Sequence, residues 1–225
     1  MKDKRSIICM GDSITAGYGI DRDETAPYPA QLNKLLGASF EVCNQGVSCT
    51  CTVNRRLNKI TVGQPYVLEE KYREALALKG DIYVIMLGTN DAQDGFNEET
   101  GVLDEFQNVY AFREFFKEDY VRILREVKLA NPEAKLLMVK PVPVMECIWS
   151  KHQQSYLERI LPVFDEIESE NPSLIKVDLQ KVFMEYAYEE RKGLYQADGL
   201  HPGVKGAEVI AETVYKAIKK MTDNR

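Results

Sequence analysis

The sequence is short of several things, and each shortage removes a class of function. Of 225 residues only two are histidine and one is tryptophan. No stretch stays apolar over the roughly 20 residues that a membrane-crossing helix needs. No long run of lysine and arginine occurs, and the formal net charge is -6. A nucleic acid or an anionic membrane surface is therefore a poor partner. Five cysteines, Cys9, Cys43, Cys49, Cys51 and Cys147, make an odd set without regular spacing. That argues against a disulfide framework. Cys49-Thr50-Cys51 brings two thiols close in sequence, but no second Cys or His pair follows at zinc-like spacing. The cysteines read as reduced thiols, and neither a metal nor another cofactor is expected. The apolar run Ile7-Ile8-Cys9-Met10 is too short and too near the start for the core of a signal peptide. It reads as a buried first strand. The chain is expected to be cytoplasmic, with a trimmed secreted protein as the alternative.

What is present points to a folded enzyme-sized unit. Hydrophobic residues make up 44% and charged residues 28%, an ordinary balance for a globular protein. The length suits one α/β domain over residues 1–225. Strand-sized apolar runs occur at Ser6–Met10, Phe40–Cys43, Ile82–Leu87, Lys135–Val139 and Leu174–Val177. Between them lie helical patterns at Pro29–Leu36, Glu69–Leu78, Ala111–Ala130, Ser155–Ser169 and Val204–Met221. The third and fourth of these are followed by Asn131-Pro132 and Asn171-Pro172, which act as stop signals. Strands alternating with helices predict a parallel sheet with helices on both faces and right-handed crossovers. No repeat, low-complexity tract or linker interrupts it. The most irregular stretch is the polar, acidic Gln93–Asn108, just after the third strand. In open α/β sheets ligands bind beyond the carboxyl ends of the strands, so chemistry is sought in the loops that follow them.

The first strand ends in Gly11-Asp12-Ser13-Ile14-Thr15. A serine there carries its hydroxyl at the sheet edge and sits where backbone N–H groups favour negative charge. Ser13 is either a nucleophile or simply a helix cap. A nucleophilic serine needs a base. His201 lies in Asp198-Gly199-Leu200-His201-Pro202, where an acid three residues ahead can reach back to the imidazole and fix its tautomer. Asp198 serves equally well as a cap. His152, in a polar helix start, reads as a solvated surface residue. Acyl transfer also needs donors for an oxyanion. The second strand ends in Asn44-Gln45-Gly46-Val47-Ser48, where the Gly46 N–H can approach a substrate closely. The third ends in Gly88-Thr89-Asn90-Asp91, where Asn90 offers an amide donor. Taken singly, Gly46 and Asn90 are turn residues. Taken together, successive strand ends and the last loop each supply one part of a hydrolase site. The Gly-x-Ser-x-Gly elbow of the larger α/β-hydrolases is absent.

Four segments, Gly11–Ser13, Asn44–Gly46, Gly88–Asp91 and Asp198–Pro202, appear in the order of the Gly-Asp-Ser, Asn-x-Gly, Gly-x-Asn-Asp and Asp-x-x-His-Pro blocks. In these the sequence resembles the SGNH (GDSL-type) hydrolase family over nearly its whole length. The resemblance implies a three-layer, flavodoxin-like fold with a five-stranded parallel sheet in the order 2-1-3-4-5. It implies Ser13 as nucleophile, His201 as base and Asp198 as its orienting acid. The oxyanion hole would comprise the Ser13 N–H, the Gly46 N–H and the Asn90 side chain. One departure stands out: the family often has glycine shortly after the second-block serine, and here Cys49 follows Ser48. Asp12 and Asp91 read as structural hydrogen-bond partners.

Asp12, Cys49, Phe96 and Trp149 are candidates to line a substrate pocket. Trp149 either stacks on a sugar ring or fills the core. Without an apolar lid segment, these features lean toward a short acyl group, acetyl above all, on a small-molecule or carbohydrate ester. Lysophospholipase, thioesterase and acyltransferase activities are the alternatives.

Overall fold

The computed structural model describes residues 4–54, 64–92, 96–97, 102–103, 109–148 and 153–223; of 96–97, 102–103 and 109–112 it describes the backbone. Five strands form one parallel sheet: β1 Arg5–Gly11, β2 Phe40–Gly46, β3 Ile82–Met86, β4 Lys135–Lys140 and β5 Ile175–Asp178. Their order is β2-β1-β3-β4-β5, the expected one. The register aligns Gly11 with Gly46 on one side of β1 and with Met86 on the other. Three strand ends thus meet at one point of the carboxyl edge. The chain turns from β1 toward β2 and then crosses back to β3, so this point is the topological switch where open sheets bind ligands.

Alternate strand residues feed two cores, as the period-two geometry of a strand requires. Ile8, Met10, Tyr83, Ile85 and Met138 pack on one face with residues of the helices α3 Glu70–Ala77, α4 Val109–Ala130 and α5 Gln154–Glu170. Ile7, Cys9, Val84, Leu137 and Val177 pack on the other with α2 Tyr28–Leu36, α6 Leu179–Met184 and α8 Val204–Asp223. Burial on both faces explains why the inner strands β1, β3 and β4 read as nearly unbroken apolar runs. Two further short helices, α1 Ser13–Ala16 and α7 Tyr188–Lys192, carry no long apolar period and were not separately legible in the sequence. Pro162 lies inside α5, yet the helix continues, because Leu157, Ile160, Val163, Phe164 and Ile167 all bury one stripe against the sheet.

The helix ends follow the stop signals. The Asn131 side chain donates to the carbonyls of Lys79 and Gly80. Asn171 donates to Ile167 O at the end of α5. Within the stretch expected to be irregular, the two-residue strands Phe96–Asn97 and Val102–Leu103 pair antiparallel, a correction to that expectation. The rest of 93–108 lies outside the described residues. Among the described residues no helix is long and apolar enough to cross a membrane.

Candidate active site

The site is built on the turn out of β1. Asp12 caps α1, its Oδ1 accepting the Ile14 N–H at 2.9 Å. Ser13 O in turn accepts the N–H groups of Gly17 and Tyr18, each at 2.9 Å. These bonds hold Ser13 as the first residue of a single helical turn, where amides have no intrahelical acceptor. Gly46 packs directly on this turn: a β-carbon there would run into the Ala16 amide nitrogen and the Thr15 carbonyl carbon. That close approach is why glycine stands at the end of β2.

The last loop brings its residues across 188 positions of sequence. Ser13 Oγ lies 2.9 Å from His201 Nε2. His201 Nδ1 lies 2.8 Å from Asp198 Oδ2. Asp198 Oδ1 accepts the N–H groups of Leu200 and His201, both at 2.9 Å. All three side chains are buried. Burial pushes the Asp198 carboxyl up, but the hydrogen bonds from His201 and Leu200 outweigh it and hold the group below the usual carboxylate value. Asp198 therefore stays an acceptor, and the Nδ1–H tautomer leaves Nε2 as the acceptor for the Ser13 hydroxyl.

The second and third strand ends are tied to one another. Asn90 Nδ2 donates to Thr50 O at 2.8 Å. The Asp91 carboxylate accepts the amides of Thr52, at 2.8 and 3.0 Å, and Val53, at 2.9 Å. Asp119, on α4, accepts the Asn54 amide at 2.8 Å. The Gly46 N–H donates to its own neighbour, Asn44 Oδ1, at 2.9 Å. Three buried carboxylates, Asp12, Asp91 and Asp119, thus clamp backbone amides of these loops. Burial pushes Asp12 up to about 7 and Asp91 up to about 6, each against the hydrogen bonds it accepts.

The candidates for the pocket wall fall out differently. Asp12 is fully buried, with the Thr89 side chain near its carboxyl, and faces no solvent. Cys49 is exposed and has φ of +62, in the left-handed region that glycine favours. That gives a physical reason for the glycine usual nearby in the resembling family. Trp149 and His152 lie outside the described residues, as does the Phe96 side chain. None of the five cysteines forms a disulfide among the described residues.

Two features went unread in the sequence. One is the clamp from Asp119, which no local pattern betrays. The other is Tyr18, whose ring lies against the His201 imidazole with centroids 4.5 Å apart and planes tilted by 38°. Its only signal was an aromatic between two glycines just after the serine block.

Comparison with known proteins adds four findings. Residues 9–209 match the GDSL-like Lipase/Acylhydrolase family. The chain is 32% identical over 225 residues to an acetylxylan esterase of Xylanibacter ruminicola, covering 97% of this chain and 44% of that protein. It thus spans less than half the length of that curated relative. A lipase/acylhydrolase from Enterococcus faecalis superposes with a TM-score of 0.67 at 24% identity, covering 96% of each chain. A carbohydrate acetylesterase from Sinorhizobium meliloti superposes with a TM-score of 0.68 at 16% identity, covering 97% of this chain and 100% of that one. Identities this low show the shared fold.

Proposed function

The chain belongs to the GDSL-like lipase/acylhydrolase family, and on that premise we propose that it is a serine esterase that removes short acyl groups, acetyl above all, from carbohydrate esters. The observation that carries this reading is the hydrogen-bonded series Ser13 Oγ, His201 Nε2, His201 Nδ1 and Asp198 Oδ2, with spacings of 2.9 and 2.8 Å. These distances suit a nucleophile, a base and the acid that orients it. The name of the acetylxylan esterase relative supports the acetyl and carbohydrate parts of the reading. Residues 1–225 act in it as one domain, since the site joins Ser13 to His201, 188 positions apart.

Ser13 Oγ attacks the ester carbonyl carbon as His201 Nε2 takes its proton. The carbonyl oxygen becomes an oxyanion, held by the Ser13 N–H, the Asn90 side chain and the Gly46 N–H. The Gly46 amide shares itself between Asn44 Oδ1 and the oxyanion. The tetrahedral intermediate collapses, the C–O bond to the alcohol breaks, and His201 gives its proton to the departing oxygen. Water then attacks the acyl-enzyme, again losing its proton to His201, and Ser13 is restored as the carboxylic acid leaves. Asp198 keeps the ring oriented and stabilises the imidazolium in both halves.

The reading is tested by labelling with a serine-reactive phosphonate and by a chain-length series of p-nitrophenyl esters. Wild-type protein should be labelled at Ser13, Ser13→Ala should not, and turnover should fall as the acyl chain lengthens. An unlabelled wild type, or preference for long acyl chains, would overturn it.

A further inference from the structure

Beside the serine turn the chain forms a tight loop, Gly17-Tyr18-Gly19, with φ of +89 and +78 at the two glycines. Tyr18 stacks on His201 and is still 47% exposed. Its carbonyl accepts the Gln196 side chain at 2.7 Å. Gln196 also lines a cleft of about 310 Å³, with Glu146, Tyr188, Lys192, Tyr195 and Gly199 among its other walls. That volume lies at the small end of the range for small-molecule sites, about 300–1,000 Å³.

The cleft is bonded to the loop that carries the acid and base. The Met145 amide donates to Gly199 O at 2.9 Å, and the Ile148 amide donates to Asp198 O at 3.0 Å. The lining chemistry narrows the ligand. Glu146 and Lys192 oppose each other in sign, so the cleft selects neither an anion nor a cation. Met145 and Ala197 are too little apolar surface for an acyl chain. Two tyrosine rings, an acid, a lysine and an amide match a neutral, polyhydroxylated ligand, with C–H faces for the rings and hydroxyls for the polar groups.

We propose that this cleft is a saccharide subsite: it holds sugar units of the alcohol part of the ester, and Tyr18 and Gln196 form the passage between it and Ser13. The proposal rests on the esterase reading above, and it adds where the sugar sits. Tyr188 supplies an exposed ring beside Glu146, whose carboxylate pushes the phenol up from its usual value. Neither Tyr188 nor Lys192 belongs to the proposed catalytic set, so their loss should spare the chemical step.

The test compares wild type with Tyr188→Ala, Tyr188→Phe and Lys192→Ala on p-nitrophenyl acetate and on acetylated xylo-oligosaccharides. All three variants should match wild type on p-nitrophenyl acetate. On the oligosaccharides Tyr188→Ala should raise KM about two- to tenfold with kcat retained, the range expected for loss of one stacked ring. Lys192→Ala should raise KM as well, and Tyr188→Phe, which keeps the ring, should restore most of the loss. Calorimetry with unacetylated xylotetraose provides a readout independent of turnover: it should bind wild type and bind Tyr188→Ala more weakly. Unchanged KM in Tyr188→Ala and Lys192→Ala, or wild type that fails to bind xylotetraose, overturns the subsite. If wild type hydrolyses neither ester, the esterase reading fails instead, and xylotetraose binding still decides the cleft.

Discussion

Replacing Asp198 by asparagine changes one hydrogen bond and leaves two in place. The new Oδ1 still accepts the Leu200 and His201 amides, now 2.9 Å from the carboxylate. The third contact, 2.8 Å to His201 Nδ1, reverses in character. An amide N–H₂ there cannot face a second N–H, so the ring places its proton on Nε2. That proton then points at Ser13 Oγ, and the base can no longer accept one. The expected loss in kcat is about 10³- to 10⁴-fold, the range for a triad held in the wrong tautomer, or about 4–5.5 kcal/mol of barrier. Stability should fall much less, by about 2 kcal/mol, because a single bond to a charged acceptor is lost. In a chain of this size that lowers Tm by about 4–8 °C. Asp198→Ala provides the contrast. It orphans two buried amides and should lose more stability, at about 1–3 kcal/mol for each, for a similar loss of rate. The assay pairs p-nitrophenyl acetate turnover with thermal unfolding on the same preparations. If Asp198→Asn keeps kcat within about tenfold of wild type while folded, Asp198 does not set the tautomer and the reasoning fails.

Three other outcomes follow from the same geometry. Asn90→Ala should lower kcat about a hundredfold or more through the lost oxyanion donor, and release Thr50 O; an unchanged kcat would remove Asn90 from the hole. Cys49→Gly should raise Tm by about 2–4 °C, since a side chain in the left-handed region costs about 1 kcal/mol; a drop in Tm would show that the thiol makes a compensating contact. Asp12, raised by burial to about 7, favours the folded state in its neutral form. That contribution is complete below the unfolded value near 4 and is lost as pH rises through about 7. Asp12→Asn, which keeps the cap and stays neutral, should therefore gain Tm over wild type at pH 8 and little at pH 4. An equal gain at both would refute the linkage.

Much of this protein is legible in its sequence, for local reasons. Strands buried on both faces must be runs such as Ile82–Met86, and amphipathic helices must carry a period such as that of Val204–Asp223. The turn chemistry of Gly11-Asp12-Ser13 and the spacing of Asp198 and His201 are likewise local, because an acid three residues before a histidine can reach its ring without help. Other features depend on where distant segments land. The 2.9 Å contact between Ser13 and His201 exists because α8, which follows the last loop, packs on α2 and brings that loop back to the end of β1. Asp119 clamps Asn54 across 65 residues, and Tyr18 meets His201 across almost the whole chain. Neither carries a periodic signal, since each contact is one side chain at one place. The Gly46 amide shows the same limit. Its position at a strand end was readable, but its bond to Asn44 Oδ1 was set by the backbone path of β2. The sequence by itself determined the elements and the residue types that do the chemistry. The tertiary structure decided which of them touch, because a contact between remote residues is fixed by how distant helices, loops and strands pack together rather than by anything either residue carries alone.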